Sequence, residues 1–505
     1  MLIPNGVSPQ GIDVRNHVPM GGISILAELN KDGYTTKLVD CIGEARRKHL
    51  LGIKDNYYTD YLVEDEMFRK TGLTDDEIFL EIDSFSPDVI GISCLTVVDR
   101  AETRRICNKI KSKFPHIPLI IGGHEASQSY KEILGQTEYD IEKIDTVDFV
   151  CVGYGQPIIL NFMNYLNGKT KKKELKGVAY KEGGSVQFKP DDRLFNLNDY
   201  VLPDYNILPK INSIKTKQTI DIYSAVGNTH AGDLQNILHN NSEIKYFPLI
   251  TSYGCGFHCS FCDTNRKLSR YSPTNVIKMI DHFDNLYGID YVDFMDNNFG
   301  GGNSDSREIM FEILKRLEGR NLKIGFSNGL TFESMQRDNF SFLKALRRAG
   351  TIKHIAFPVE NGNDRVLKMI RKPHTLNMVK EVFSFVKDYF DLSELNREGF
   401  FIGGFPTTSG LSAETPEELE NTFKFIEKCY DENWLDQAIF LTLSPVTNTY
   451  RKQWREKYPN GSFEKALFSK GTKIWTYDNN LLIEMHQKVK ELNKMKGKNK
   501  ITRVL

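Results

Sequence analysis

Cys255, Cys259 and Cys262 stand within twelve residues, SYGCGFHCSFCD (Ser252–Asp263), of a 505-residue chain that holds eight cysteines in all. Thiolates set so close bind metal or trade electrons, and their number separates the possibilities. A structural zinc site takes four protein ligands, usually as two separated pairs. Only three are here, and His258 is a poor fourth because it adjoins Cys259, and neighbouring residues rarely aim at one tetrahedral centre. A redox dithiol would use two cysteines and leave the third idle. A [4Fe–4S] cluster is held by thiolates, and three of them leave one iron open to an external ligand. The spacing is therefore read as the cradle of an open cluster, with Cys255, Cys259 and Cys262 as its ligands.

Such a loop needs elements to position it. FPLITSYG (Phe247–Gly254) is a strand leading straight into the cysteines, and it opens a series: DYVDFMDNN (Asp290–Asn298), KIGFSNG (Lys323–Gly329), HIAFPVENG (His354–Gly362), GFFIGGFP (Gly399–Pro406) and QAIFLTLSP (Gln437–Pro445). Helices separate these strands, two of them announced by Ser272-Pro273 as N-cap and first-turn proline and by TPEE (Thr415–Glu418) as a capping box. Six β/α units predict an open (β/α)6 partial TIM barrel, and barrels carry their reactive residues where strands end. The cysteines then fall at the mouth.

The first third also alternates. A short strand at LIP is followed by KLVDC (Lys37–Cys41), DVIGISCL (Asp88–Leu95), PLIIGG (Pro118–Gly123) and DFVCVG (Asp148–Gly153), with helix-like stretches among them. Fully apolar strands alternating with helices predict a parallel sheet covered on both faces, a doubly wound Rossmann-like α/β domain. Sheets of this kind bind ligands beyond the carboxyl ends of their strands. Two strands end there in glycine-rich turns, GGHEAS (Gly122–Ser127) and GYGQP (Gly153–Pro157), where backbone can approach a large ligand. From Gly177 to Tyr246 the pattern loosens into a hairpin (GVAYKEGGSVQFK), a turn (LPDYNILP) and an irregular stretch in which His230 is read as a loop histidine. The expected organisation is an α/β domain over 1–176, a linker over 177–246, the partial barrel over 247–445 and a small C-terminal extension over 446–505.

C-x3-C-x2-C after the first strand of a β/α barrel resembles the radical S-adenosylmethionine (SAM) family, in which the open iron is chelated by the amino and carboxylate groups of SAM. Phe261 occupies that family's aromatic position near the adenine. DFMDNNF (Asp293–Phe299) resembles the family's D-D-N-F, and PVENGND (Pro358–Asp364) its I-E-S-G, with Asn361 in place of serine. IGGFP followed by ETPEE resembles G-L-P-G-E-T, lengthened by residues Thr407 to Ala413. The resemblance implies that Phe261, Asp296, Asn297, Glu360, Asn361 and Gly362 serve SAM. With the N-terminal domain, the likeness extends over nearly the whole chain to the cobalamin-binding subgroup, a methyltransferase-like set. It implies cobalamin held through Gly122, Gly123, His124, Ser127, Gly153 and Gly155. GYGQ replaces the subgroup's usual G-E-G-E, and no D-x-H-x-x-G, the carrier of a cobalt-ligating histidine elsewhere, occurs in the chain.

The implied reaction begins with one electron passing from the cluster to SAM, releasing methionine and a deoxyadenosyl radical. That radical removes a hydrogen from an unactivated carbon of a small molecule or peptide, and methylcobalamin then supplies a methyl group. The runner-up makes a ring or rearranges the substrate with the same cofactors, and the non-enzymatic alternative is a cobalamin or SAM sensor. An electron donor such as flavodoxin or ferredoxin is expected. The 66 basic and 66 acidic residues cancel, so no global field points to nucleic acid or an anionic membrane. The start MLIPNGVSPQGIDVRNH lacks the features of a secretory signal and no stretch is apolar enough to span a bilayer, which predicts a cytoplasmic protein. The lysine-rich tail is read as a solvated helix end. Substrate is expected to meet the segment Pro445–Tyr477 and the loop around His230.

Overall fold

The computed structural model describes residues 1–9, 18–63, 66–136, 143–193, 195–208, 210–212, 219–221, 246–407, 411–443, 447–458 and 479–497. The loop around His230 lies outside the described residues, as does the segment Pro445–Tyr477 apart from 447–458. The chain forms two compact units, one carrying the described residues up to 221 and the other those from 246 on.

In the first unit, period-two alternation sends neighbouring side chains of the central strands to opposite faces. Leu119, Ile121 and Val150 pack with Ile78, Ile82, Ile106 and Ile110 from helices Asp75–Phe85 and Arg100–Lys113. Ile120, Phe149 and Cys151 pack the other way, with Leu26 and Leu29 of helix Met20–Lys31 and Ile158 and Phe162 of helix Gly155–Leu166. This is the doubly wound domain expected. Its parallel strands lie in the order Val39–Asp40, Leu2–Ile3, Ile90–Ser93, Leu119–Gly122, Phe149–Cys151. The order reverses between Leu2–Ile3 and Ile90–Ser93, the position at which such sheets open a crevice beyond their carboxyl ends.

Two features depart from the sequence reading. The hairpin Val178–Glu182 and Ser185–Phe188, expected in a linker, is the antiparallel edge of this sheet, with Cys151 opposite Val178. Burial of Val178 and Tyr180 against Phe149 and Phe162 on one face, and of Ala179 in the core on the other, draws it there. A separate three-stranded antiparallel sheet, Gly6–Pro9, Glu66–Thr71 and Tyr58–Val63, had no counterpart in the expectations. Pro4 and Asn5 join it to the carboxyl end of Leu2–Ile3, and the Asn5 amide donates to the Leu73 carbonyl (2.8 Å).

The second unit carries six parallel strands in chain order: Tyr246–Leu249, Tyr291–Phe294, Lys323–Phe326, Thr351–Glu360, Asn396–Gly403 and Gln437–Thr442. Both expected helix starts are present. The Ser272 hydroxyl accepts from Asn275 N (3.2 Å) with Pro273 in the first turn, and Thr415 and Glu418 close a capping box. Helix Asn479–Lys496 buries Leu482, Met485, Val489 and Leu492. Its Asn493 side chain donates to the Ala438 carbonyl (2.8 Å) and accepts from the Ala438 amide (3.1 Å), pairing a residue of the edge strand Gln437–Thr442 as a neighbouring strand would. Among the described residues no helix is long and apolar enough to cross a membrane.

Candidate functional site

The cysteine loop is pinned at its neck and tied across its middle. Ser252–Tyr253 pairs antiparallel with Ser269–Arg270, and Cys255 N donates to the Asn265 carbonyl (2.8 Å). The Arg266 guanidinium gathers the carbonyls of Phe257 (2.6 Å), Cys259 (3.3 Å) and Cys262 (2.5 Å). A short loop turning its thiols one way must turn carbonyls another, and Arg266 supplies their donors. The sequence reading passed over it, although a guanidinium four residues beyond the last cysteine was the available signal. On the far side Ser260 N donates to the Ile370 carbonyl (3.0 Å).

Cys259 is buried, and Cys255 and Cys262 are partly exposed. Burial pushes the Cys259 thiol up; Lys372 draws it down, and Cys262, Glu360 and Cys255 add to the upward push, so the three sulfurs share one neighbourhood. Asn298 Nδ2 lies 3.6 Å from Cys255 Sγ, and Thr264 Oγ1 lies 3.2 Å from Cys262 Sγ. Hydrogen bonds to cluster sulfurs help set the potential of such centres. Asn298 is 1% exposed, whereas its neighbour Asn297 faces solvent.

Asp296 is also 1% exposed, which leaves it no face toward a ligand in this arrangement. Its carboxylate accepts from Thr251 N (3.1 Å), Thr251 Oγ1 (2.8 Å) and the Ser252 hydroxyl, tying the second strand's end to the base of the cysteine loop. Burial holds its carboxyl above the usual carboxylate range against Arg270 and these donors.

Glu360 stands at a break in register between Pro358 and Glu360, with φ of 67°. A bulge of this kind re-aims a side chain, and a non-glycine residue at positive φ marks local strain. The carboxylate meets Lys372 Nζ at 2.7 Å, each side chain only 8% exposed. Desolvation pulls the Lys372 ammonium down, but Glu360 and the Cys259 and Cys262 thiols outweigh it and hold it above its ordinary value. Lys372 Nζ also lies 5.7 Å from the centre of the Phe261 ring, which packs at 5.8 Å on Phe405. Sequence reasoning missed Lys372, twelve residues beyond Glu360 with helix Asp364–Met369 between them.

Asn361 and Gly362 lie inside the wall. Asn361 is fully buried; its amide donates to Glu414 (2.6 Å) and its carbonyl oxygen accepts from Asn363 N (3.1 Å) and Thr422 Oγ1 (3.2 Å). A Cβ on Gly362 would stand 2.6 Å from Thr422 Cα, so only glycine admits the helix Pro416–Asp431. Glu414 in turn accepts from Gly404 N (2.7 Å) and Phe405 N (3.2 Å), and its own N–H donates to the Phe405 carbonyl (3.0 Å). The lengthened turn from Thr407 to Ala413 is thus closed at its neck, and the added residues do not interrupt the contact between GGFP and Glu414. Burial pushes the Glu414 carboxyl up to about 7. Replacing Glu414 with alanine strands three buried donors at about 1–3 kcal/mol each. We expect a net loss of about 2–4 kcal/mol, read as a lower urea midpoint for the second unit, with no change expected for Glu417→Ala, exposed in the first turn of helix Pro416–Asp431.

In the first unit the two glycine turns are locked to each other. The Ser127 hydroxyl donates to the Gly123 carbonyl (2.8 Å) and accepts from Gly153 N (3.0 Å). Gly123 has φ of 114°, and a Cβ there would fall 2.4 Å from the Cys94 carbonyl oxygen. Gly122 ends its strand, Gly155 opens helix Gly155–Leu166 against Ile25, and His124 and Gly153 face solvent. Beneath the first turn, buried Arg100 pairs with Glu125 and, at 3.1 Å, with Glu132. These residues lie at and just beyond the carboxyl ends of parallel strands, where sheets of this kind bind ligands.

Among the described residues no three His, Cys, Asp or Glu side chains converge on one point as the ligands of a single ion do. A structural zinc site takes four protein ligands, whereas three thiolates hold a [4Fe–4S] cluster with one iron left open, so the three-cysteine loop fits a cluster better than zinc.

Residues 249–426 match the model of the radical SAM superfamily, and residues 52–161 that of the B12 binding domain. The chain is 27% identical over 458 residues to cytidylyl-2-hydroxyethylphosphonate methyltransferase of Streptomyces wedmorensis, covering 85% of this chain and 76% of that protein. Among solved structures it is similar to the radical S-adenosylmethionine methyltransferase TsrM from Kitasatospora setae, with a TM-score of 0.60 and 11% identity over 90% of this chain and 76% of that one. It is also similar to the cobalamin-dependent S-adenosylmethionine radical enzyme OxsB, with a TM-score of 0.56 and 17% identity, covering 94% of this chain and 59% of that one. With a B12 binding domain followed by a radical SAM domain on one chain, the protein belongs to the cobalamin-binding radical SAM enzymes, and its cofactors are a [4Fe–4S] cluster, SAM and cobalamin.

Proposed function

We propose that the enzyme transfers a methyl group from cobalamin to an unactivated carbon of a small molecule or peptide. What carries the reading is the pairing, on one chain, of a three-thiol loop braced by Arg266 with a unit of corrinoid-binding topology. Similarity to a phosphonate methyltransferase over 85% of the chain supports methyl transfer and favours a small-molecule substrate. When bound, the cluster and SAM supply a carbon radical and cobalamin supplies the methyl group.

In this reading the protein's own residues position and exclude. Cys255, Cys259 and Cys262 ligate the cluster. Asn298 and Thr264 donate to two of its thiolates. Glu360 and Lys372 offer one charge of each sign to the zwitterionic end of SAM, and Phe261 offers a ring to its adenine. Asp296, Asn361, Gly362 and Glu414 act through the wall that carries them. Gly122, Gly123, His124, Ser127, Gly153 and Gly155 form the cobalamin-side turns.

The test is anaerobic turnover with SAM, cobalamin, a low-potential reductant and candidate substrates. Deoxyadenosine together with a product heavier by one methyl group is expected. Deoxyadenosine with no methyl gain would favour ring formation or rearrangement, and bound cofactors without deoxyadenosine would favour a sensor. Cobalamin is expected to bind without a protein nitrogen on cobalt. The electron paramagnetic resonance spectrum of its cobalt(II) form should show no protein nitrogen coupling, and His124→Ala should leave it unaltered. A nitrogen-coupled signal lost in that variant would overturn the claim.

A further inference from the structure

Helix Asn448–Lys457 follows the sixth strand and lies outside the stretch that matches the radical SAM model, yet its first turn reaches the cysteine loop. The Tyr450 hydroxyl stands 3.0 Å from the Ser260 hydroxyl, across 190 residues of chain. Ser260 lies between Cys259 and Cys262, and its N–H already goes to the Ile370 carbonyl (3.0 Å), so two distant segments hold this one residue by backbone and by side chain. Tyr450 is fully buried, and Thr447, Arg451 and Trp454 bury the same face of the helix. The Thr447 side chain caps the first turn by accepting from Tyr450 N (3.4 Å), which fixes the turn that carries the phenol. One turn further on, the Gln453 amide donates to the Thr407 carbonyl (3.1 Å), two residues past the Phe405 on which Phe261 packs. The helix therefore touches both the cysteine loop and the turn beside it. A core position needs only an aromatic ring; a buried phenol must also place its hydroxyl, and here the loop takes it.

We infer that Tyr450 is a positioning residue for the iron–sulfur cluster: through Ser260 it holds the stretch from Cys259 to Cys262 closed and so sets how firmly the loop keeps its iron. The inference rests on the cluster assignment above. Local openings of a fold cost only the contacts they break, and iron leaves such a loop when it opens. Opening here must break the bond between Tyr450 and Ser260. The net worth of one hydrogen bond corresponds to roughly a twofold to tenfold change in the open fraction, and iron release follows that fraction when opening and closing are fast.

The experiment uses the full chain, anaerobically reconstituted and challenged with the ferrous chelator ferrozine, iron release being followed by absorbance. Tyr450→Phe, which keeps the ring, and Ser260→Ala are each expected to release iron about threefold faster than the parent or more, within the range that one hydrogen bond allows. The double variant should release it no faster than the faster single, because both changes remove the same bond. Lys452→Ala, exposed on the same helix, should match the parent. A tyrosine that served only to pack the helix would leave Tyr450→Phe at the parent's rate. Parent-like release in both single variants would overturn the proposal, and so would effects that multiply in the double variant, since the two hydroxyls would then act apart. If Tyr450→Phe failed to take up iron, Ser260→Ala would decide alone, a parent-like rate overturning the proposal. A parent chain that takes up no iron would instead sink the cluster assignment.

Discussion

Replacing Cys255, Cys259 and Cys262 together with alanine is expected to abolish iron, sulfide and visible cluster absorption after anaerobic reconstitution, and deoxyadenosine formation with them. No substitute is at hand among the other cysteines. Cys41, Cys94, Cys107, Cys151 and Cys429 are all buried, as expected of small core residues, and burial raises every one of their thiols, Cys107 and Cys151 to about 12. They also stand singly along the chain, none of them spaced with another as the three of the loop are. The variant should keep its fold: Arg266 bonds the loop's backbone carbonyls rather than its side chains, and the antiparallel pairing of Ser252–Tyr253 with Ser269–Arg270 is untouched. Far-ultraviolet circular dichroism checks that, and iron and sulfide analysis checks the prediction. A full cluster in the triple variant would show that the ligands lie elsewhere.

The second large effect is expected at the buried pair. Glu360→Gln should leave the cluster in place yet weaken SAM binding and slow SAM cleavage, because the bulge at Pro358–Glu360 aims this carboxylate at Lys372 beside the cysteine loop. Hydrogen bonds to charged groups are worth about 1.5–3 kcal/mol, roughly a tenfold to hundredfold loss in affinity. Lys372→Met should cost at least as much, since it also leaves a buried carboxylate without its partner, and removing one member of a buried pair costs about 3–5 kcal/mol. Combining the two should be less damaging than the sum of the singles, because each residue compensates the other. Equilibrium binding of SAM to the reconstituted protein, with iron content measured in parallel, reads the result. Parent-like SAM affinity and cleavage in both single variants would place SAM's charged groups on other residues.

What the amino-acid sequence determined by itself is what lies within a few residues along the chain. The cysteine spacing, the apolar runs of the parallel strands, the N-cap at Ser272 and the capping box at Thr415 are local patterns, and each is present in the fold. Only the tertiary structure decided the contacts between distant segments. Lys372 meets Glu360 because a bulge turns the strand's last residue and a short helix returns the chain beside it. Asn298, rather than exposed Asn297, reaches Cys255 because the turn that follows strand Tyr291–Phe294 buries one of two adjacent asparagines and exposes the other. Ser127 spans two glycine turns, and Asn493 completes an edge strand fifty-five residues away, through bonds that periodicity does not encode. The hairpin at Val178–Phe188 joined the first sheet for a related reason: its alternation shows that it is a strand pair, while the partner strand is chosen by which apolar surface lies open when the sheet assembles. Side-chain period is a property of one segment, whereas register and partner are properties of two, and the free energy that selects them appears only when both are packed.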